Sequence, residues 1–229
     1  MSGGMIDAGL EEYIRLNMLL AGKPEFKLTK SEKTYIHQIT WQGSCSKQYF
    51  EMPGTGYYFP LVYLPHALGL RVSEALDLSI HHSYQLTRLL VLGTSMGLIL
   101  WAFSIFNPGP GVLAMLLLPM TLFQMVLPTL DGFTTALSLM VVALFSRGFQ
   151  NASGAASTIL SSALASICLL LVVTSRIHLL PMLLIPFVSS WQRRQSSDAA
   201  WGAAVTVITA AWMIFALTQT VDTRIPRAH

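Results

Sequence analysis

Leu89-Leu90-Val91-Leu92-Gly93-Thr94-Ser95-Met96-Gly97-Leu98-Ile99-Leu100-Trp101-Ala102-Phe103-Ser104-Ile105-Phe106 is a run of eighteen residues without a charge. About 20 predominantly apolar residues carry an α-helix through a bilayer core. This stretch comes close, and Asn107-Pro108-Gly109-Pro110-Gly111 ends it in what can only be a turn. The run reads as the first transmembrane helix, and the rest of the chain is read outward from it.

On its C-terminal side further uncharged runs follow. Val112 to Leu130, with Pro119, Gln124 and Pro128 inside it, predicts a kinked span. Gly132 to Phe145 predicts a short one, Ala156 to Thr174 a fourth, and Ala199 to Leu217 a clean last one. Ile177 to Val188 is apolar but short and broken by Pro181 and Pro186, so it is either a short span or a re-entrant piece. If it crosses, Arg147, Arg193 and Arg194 share one face, which the positive-inside rule makes cytoplasmic. Gly93 and Gly97 form a small-xxx-small pair, and Ser161, Ser162, Ala165 and Ser166 form another. Both are expected to serve close helix packing inside the bundle in preference to homodimerisation.

On its N-terminal side the composition changes. Residues 1–88 hold eight of the fourteen Lys and Arg and eight of the eleven acids, whereas Leu89 to Leu130 carries none. The chain therefore divides into 1–88, an extracytoplasmic or interfacial helical segment, and 89–229, a transmembrane bundle. In the first region Ile6, Leu10, Tyr13, Ile14 and Met18 recur at helical spacing behind a candidate N-cap, Asp7, and Gly22 with Pro24 ends the pattern. Thr29 and Glu32 form a capping box ahead of a second helix, Lys30 to Trp41, which Gly43 stops. Tyr57, Tyr58, Phe59, Pro60, Tyr63 and Pro65 suit a membrane–water boundary, although a core aromatic cluster would read the same way.

Overall, 53% of residues are hydrophobic and 11% charged, against about 25% charged in soluble domains. The fold class expected is an all-α membrane protein, a bundle of five or six transmembrane helices with an N-terminal amphipathic or interfacial helical segment. Membrane lipids are its first partners. The formal charge of +3, with lysines interleaved among acids, gives no nucleic-acid footprint. Cys45 and Cys168 lie in regions that are not expected to meet, and the N-terminus has no secretory signal pattern. His66, His81 and His82 lack metal-ligand spacing, so neither a metal nor a cofactor is expected. Asn151-Ala152-Ser153 matches a glycosylation acceptor, but on the face expected to be cytoplasmic.

Tyr57-Tyr58-Phe59-Pro60-Leu61-Val62-Tyr63-Leu64-Pro65-His66-Ala67-Leu68-Gly69-Leu70 precedes Tyr84-Gln85-Leu86-Thr87-Arg88-Leu89. Leu118-Pro119-Met120-Thr121-Leu122-Phe123-Gln124 leads to Asp131-Gly132, and Thr174-Ser175-Arg176-Ile177-His178-Leu179-Leu180-Pro181 follows. In these blocks and their order, most of the chain resembles a bacterial integral-membrane family, domain of unknown function 2142. That family looks like a relative of the GT-C glycosyltransferases, which take sugars from polyprenyl-phosphate carriers at the outer face of the cytoplasmic membrane. The resemblance implies a multi-pass protein of a bacterial inner membrane and a polyprenyl-phosphate sugar donor. It also implies a role in cell-envelope glycan assembly. Set beside that family, the chain begins inside the first outer loop, so a truncated chain is expected. The family's loop opens with an acidic pair followed by a histidine, and the nearest residues here are Asp7, Glu11 and Glu12 without one.

Glycosyl transfer needs a carboxylate to accept the proton of the attacking hydroxyl and cations to hold the phosphate leaving group. Asp7 and Glu11 are candidate bases, against which stands helix capping and the macrodipole. Asp131, alone between Arg88 and Arg147, is a candidate by its membrane depth, with an interfacial N-cap as the alternative. Arg88, Arg176 and His178 are candidates for binding a lipid-linked phosphate; snorkelling to headgroups explains the arginines equally. The rival class is a transporter-like or non-catalytic membrane protein, or an inactive fragment. The absence of an internal repeat and of large polar residues other than Gln124 deep in the spans counts against transport.

Overall fold

The computed structural model describes residues 3–19, 27–43, 46–51, 58–150, 155–194 and 196–220. Expectations resting on Gly22, Pro24, Cys45, Tyr57 and Asn151 to Ser153 lie outside them. Ten helices and a two-stranded ribbon make up the described chain.

The ribbon is β1 (Gly3–Asp7) paired antiparallel with β2 (Lys47–Glu51). The sequence reading contains no strand here, because each is five residues long and the helices between them remove any hairpin signal. Between the strands lie α1 (Ala8–Met18) and α2 (Lys30–Gln38). Asp7 caps α1, accepting from the Gly9 amide at 2.9 Å, and the Thr29–Glu32 capping box is complete. The second helix stops at Gln38, three residues short of the expected Trp41.

A 3₁₀ turn, Pro60–Tyr63, opens α3 (Leu64–Ala75), and a four-residue link returns the chain into α4 (Ile80–Ile105). The first long helix therefore begins nine residues before Leu89, since Ser79 caps it through the His82 amide. The compositional border at Arg88 falls inside this helix. Its imidazole His81 stacks on His37 of α2 with centroids 3.9 Å apart, tying the N-terminal segment to the bundle.

The expected kinked span, 112–130, is two helices, α5 (Pro110–Leu116) and α6 (Pro119–Val126). Leu118 takes an extended ψ of 136° before Pro119, as the residue preceding a proline does, so proline starts the second helix and does not bend one continuous helix. Next come α7 (Leu130–Gln150) and α8 (Ala155–Ser175). A 3₁₀ segment, Ile177–Leu183, leads to α9 (Leu184–Arg193), and α10 (Ser196–Thr220) ends the described chain.

Among the described residues three helices are long and apolar enough to cross a membrane: Ile80–Ile105, Leu130–Arg147 and Ser196–Thr218. The described part of α8, Leu160–Ser175, is shorter. The bundle is laid down in alternating directions. The Arg88 Nε donates to the Val126 carbonyl at 2.6 Å, so α5 and α6 together return to the end of the bundle where α4 began. Helix α7 runs away from that end and α8 runs back, bringing Arg176 against Asp131. Ser162 of α8 and Ser189 of α9 both donate to Asp198 at the start of α10, so 177–193 runs away again and α10 returns. Arg147, Arg193 and Arg194 consequently lie at the end opposite Asp131 and Arg176.

Helix α7 is the axis, packed against α4, α6, α8 and α9. Met140 and Val141 in α7 and Leu169 and Val172 in α8 are wholly enclosed, and Val62 of the 3₁₀ turn plugs the same core. Apolar helices in lipid gain little from leaving their solvent, so close packing and small residues hold such a bundle together. The Ser162, Ala165 and Ser166 face of α8 is buried accordingly. The Gly93 and Gly97 pair corrects the sequence expectation. A Cβ placed on either would meet nothing within 4 Å, so this face of α4 is turned out of the bundle.

Candidate functional site

The Asp131 end of the bundle gathers the chemistry. Asp131 sits in the first turn of α7, three residues after Pro128, and Arg176 follows the last turn of α8. The two helices pack along their lengths, which places the guanidinium against the carboxylate: Arg176 Nη2 donates to Asp131 Oδ1 in an ion pair about one-third exposed. The Arg176 guanidinium also lies over the Tyr58 ring, whose centroid is 6.0 Å from Cζ. The extended backbone of Arg176 turns the chain into the 3₁₀ segment, so Ile177 and His178 follow into the same wall.

These residues border an open cavity of about 270 Å³ lined by Tyr58, Ser175, Arg176, Ile177 and His178, with Met213, Ala216 and Leu217 of α10 opposite. One wall is cationic and hydroxyl-bearing, and the other is hydrocarbon. Such a cavity suits an amphiphile with an anionic head and an apolar tail, because the guanidinium offers forked donors to a phosphate while the α10 wall takes chain carbons.

Of the residues singled out from sequence, Arg176 and His178 line this cavity, and Asp131 joins it only through its ion pair with Arg176. Arg88 does not line this cavity; its guanidinium fastens α4 to the end of α6. Asp7 is elsewhere and occupied. It is buried, and its carboxylate accepts from the amides of Gly9, Gln42 and Gly43 and from the Ser46 hydroxyl, welding the start of α1 to the loop before β2. Glu11, half-buried on α1, lines neither this cavity nor a second one of about 260 Å³ under the N-terminal segment.

His66 of α3 stands beside the site. Its Nε2–H donates to the Pro128 carbonyl at 3.1 Å, and its Nδ1 is buried without a partner. A second N–H at Nδ1 would have no acceptor, so the neutral ring is the form that fits. Among the described residues no group of three or more potential ligands could hold a metal ion.

Asp198 is the residue that the sequence reading missed. It has no exposed surface, and it accepts from Ser162 Oγ at 2.6 Å, Ser189 Oγ at 2.8 Å and Arg193 Nη1 at 3.2 Å. The signal was available. Starting the last span at Ala199 set this acid just outside it, whereas α10 begins at Ser196 and carries Asp198 in its first turn.

The family model described as "Predicted membrane protein", domain of unknown function 2142, matches residues 22–228. The chain belongs to this family. No curated protein and no solved structure matches it. Membership in a domain of unknown function 2142 family, together with the apolar helices, makes this a membrane protein. The match runs through the 3₁₀ turn at Pro60, through Asp131 and through Arg176 alike, so the cavity lies wholly within the family's domain.

Proposed function

We propose that this protein is a multi-pass protein of a bacterial cytoplasmic membrane that transfers a sugar from a polyprenyl-phosphate carrier in cell-envelope glycan assembly. The observation carrying the proposal is Arg176, held by Asp131 in the polar wall of a cavity whose other wall is the hydrocarbon of α10. Arg176 and His178 take the carrier phosphate, and the isoprenoid lies along Met213, Ala216 and Leu217. Asp131 orients the guanidinium through their ion pair and is the carboxylate assigned in this reading to accept the proton of an incoming hydroxyl. The resemblance to GT-C glycosyltransferases supports the reaction class by analogy of fold.

The test is transfer from a sugar-loaded polyprenyl phosphate by the protein in nanodiscs. Asp131→Asn and Arg176→Ala are each expected to lower turnover by roughly a hundredfold, the effect of removing about 3 kcal/mol of transition-state stabilisation. Both should remain folded, since a part-exposed ion pair contributes about 1 kcal/mol or less. Wild-type protein that neither transfers a sugar nor binds a phosphorylated polyprenol ends this reading.

A transporter-like reading has one observation in its favour, the enclosed Asp198 with Arg193 and two serines. Ionisable groups inside a membrane bundle mark ion or proton paths more often than chance. Substrate-coupled proton uptake into proteoliposomes, abolished by Asp198→Asn, would favour it over the transferase.

A further inference from the structure

Helix α3 has three faces. Pro65, Gly69 and Ser73 are buried against α4, so closely that a Cβ on Gly69 would stand 2.8 Å from Thr87 Cα. Ala67, Leu70, Arg71 and Glu74 border the cavity beneath the N-terminal segment, opposite Asp7, Trp41 and Lys47. The third face carries no charge. Leu64, Leu68, Val72 and Leu76, continued by Leu61 from the 3₁₀ turn, are 52%, 49%, 44%, 62% and 53% exposed. The charges of this helix, Arg71 and Glu74, border the cavity beneath the N-terminal segment and pair with each other in the open at the edge of the outward stripe, whose own five residues are all hydrocarbon.

The level of this stripe follows from the hairpin. The short link makes α3 antiparallel to α4, and Gly69 lies opposite Thr87. Counting equally in both directions sets Leu68 level with Arg88, Leu64 with Leu92, and Leu76 with Ile80. A bilayer core takes about 20 helical residues. Measured back from Ile105, where α4 ends, that length reaches Leu86. Leu64 and Leu68 therefore fall on the hydrocarbon side of the boundary, Val72 and Leu76 at the headgroups.

We propose that the outward stripe of α3 is a lipid-binding surface. The 3₁₀ turn and the first half of α3 are immersed in the leaflet at the Asp131–Arg176 end, with acyl chains covering Leu61, Leu64 and Leu68. The occupant is lipid because the stripe is continuous in level with the outward residues of a membrane-spanning helix, Leu89 among them at 65% exposure. An uncharged stripe of this length also has no favourable contact to make with water. The half-helix hairpin anchors the otherwise polar N-terminal segment to the membrane. This inference rests on membrane residence alone and stands whether or not the protein transfers a sugar.

The experiment uses the full chain in phosphatidylcholine nanodiscs, with single cysteines replacing Leu64, Leu68 or Val72 in a Cys45→Ser, Cys168→Ala background. Each is labelled with a small fluorophore; Arg71→Cys serves as the water-side control and Leu100→Cys as the lipid-side control. Nitroxide-bearing phosphatidylcholine should quench the labels at positions 64 and 68 as strongly as at 100, while iodide quenches at 71 and leaves 64, 68 and 100 untouched. The label at 72 should respond to both. Loss of fluorescence at 64 and 68 with iodide, equal to that at 71, overturns the proposal. So does protection of both positions from both quenchers, which would mean that protein and not lipid covers the stripe.

Discussion

Asp198 and Asp131 are both paired carboxylates, but their surroundings set opposite consequences for losing them. Asp198 is wholly enclosed, and Arg193 beside it has a side chain only 10% exposed. Asp198→Ala would leave a guanidinium and two hydroxyls buried without their acceptor. Breaking a buried pair from one side costs about 3–5 kcal/mol, because the remaining charge stays desolvated. Asp198→Ala is therefore expected to lower thermal stability in detergent sharply, and double replacement with Arg193→Met should recover much of the loss. A melting midpoint unchanged by Asp198→Ala would show that the three helices do not depend on this contact. Asp131 is part-exposed, so water can take over its role toward Arg176 and its loss should show in chemistry, not in folding.

Glycines divide the elements into those that touch and those that do not. Gly69 meets Thr87 across α3 and α4, and a Cβ on Gly132 would stand 2.8 Å from Met125 Cα across α6 and α7. In both cases the obstacle is backbone, which cannot swing aside. Gly69→Leu is expected to force α3 away from α4, with an overpacking cost of about 1–3 kcal/mol. Gly97→Leu places its side chain in open space and should leave stability in detergent unchanged. Equal melting midpoints for the two variants would show that the α3–α4 contact is looser than the 2.8 Å approach requires. The broken elements have an equally local cause. Pro119 and Pro110 stand at the first turn of their helices, where a missing N–H costs nothing, so 110–126 is two short helices end to end.

At the scale of the whole molecule, the multi-pass reading proposed above, applied to the alternating directions of α4, α5 with α6, α7, α8, 177–193 and α10, predicts six membrane passes, of which α4, α7 and α10 are long and apolar enough to cross by themselves. The positive-inside rule then assigns Arg147, Arg193 and Arg194 to the cytoplasm. In inverted and right-side-out vesicles, Asn107→Cys and Gln192→Cys are expected to react with an impermeant maleimide from the cytoplasmic side. Asp77→Cys and His178→Cys should react from the opposite side. All four positions are exposed in the described structure. Labelling of positions 107 and 192 from different sides would mean that 177–193 does not cross.

How much of this was legible beforehand depends on the range of the interactions involved. The membrane class, the long helices and the Asp7 and Thr29 caps follow from composition, period and residues three or four apart, all of which are local in the chain. The candidate site was partly legible: Asp131, Arg176 and His178 stood out as polar residues at the ends of apolar runs. Their meeting required α7 and α8 to pack in one register, which no local pattern encodes. Asp7 and Asp198 show the other side of that limit. Both are acids at the start of a helix, Asp7 as the N-cap of α1 and Asp198 in the first turn of α10, and the sequence reading singled out only Asp7. Tertiary packing gave Asp7 the amides of Gln42 and Gly43, thirty-five and thirty-six residues away, and gave Asp198 the hydroxyl of Ser162. The outward turn of Gly93 and Gly97 was decided in the same way. A small-xxx-small spacing permits close approach, but the side chains that happen to fill the opposing groove determine which helix face is used. Sequence alone thus determined the solvent in which this chain folds and which stretches become helices, because those depend on each residue's own free energy in lipid, water or helix. The pairing of its charges, and which surfaces remain open to lipid, were decided only when the helices packed, because those free energies belong to pairs of residues distant in the chain.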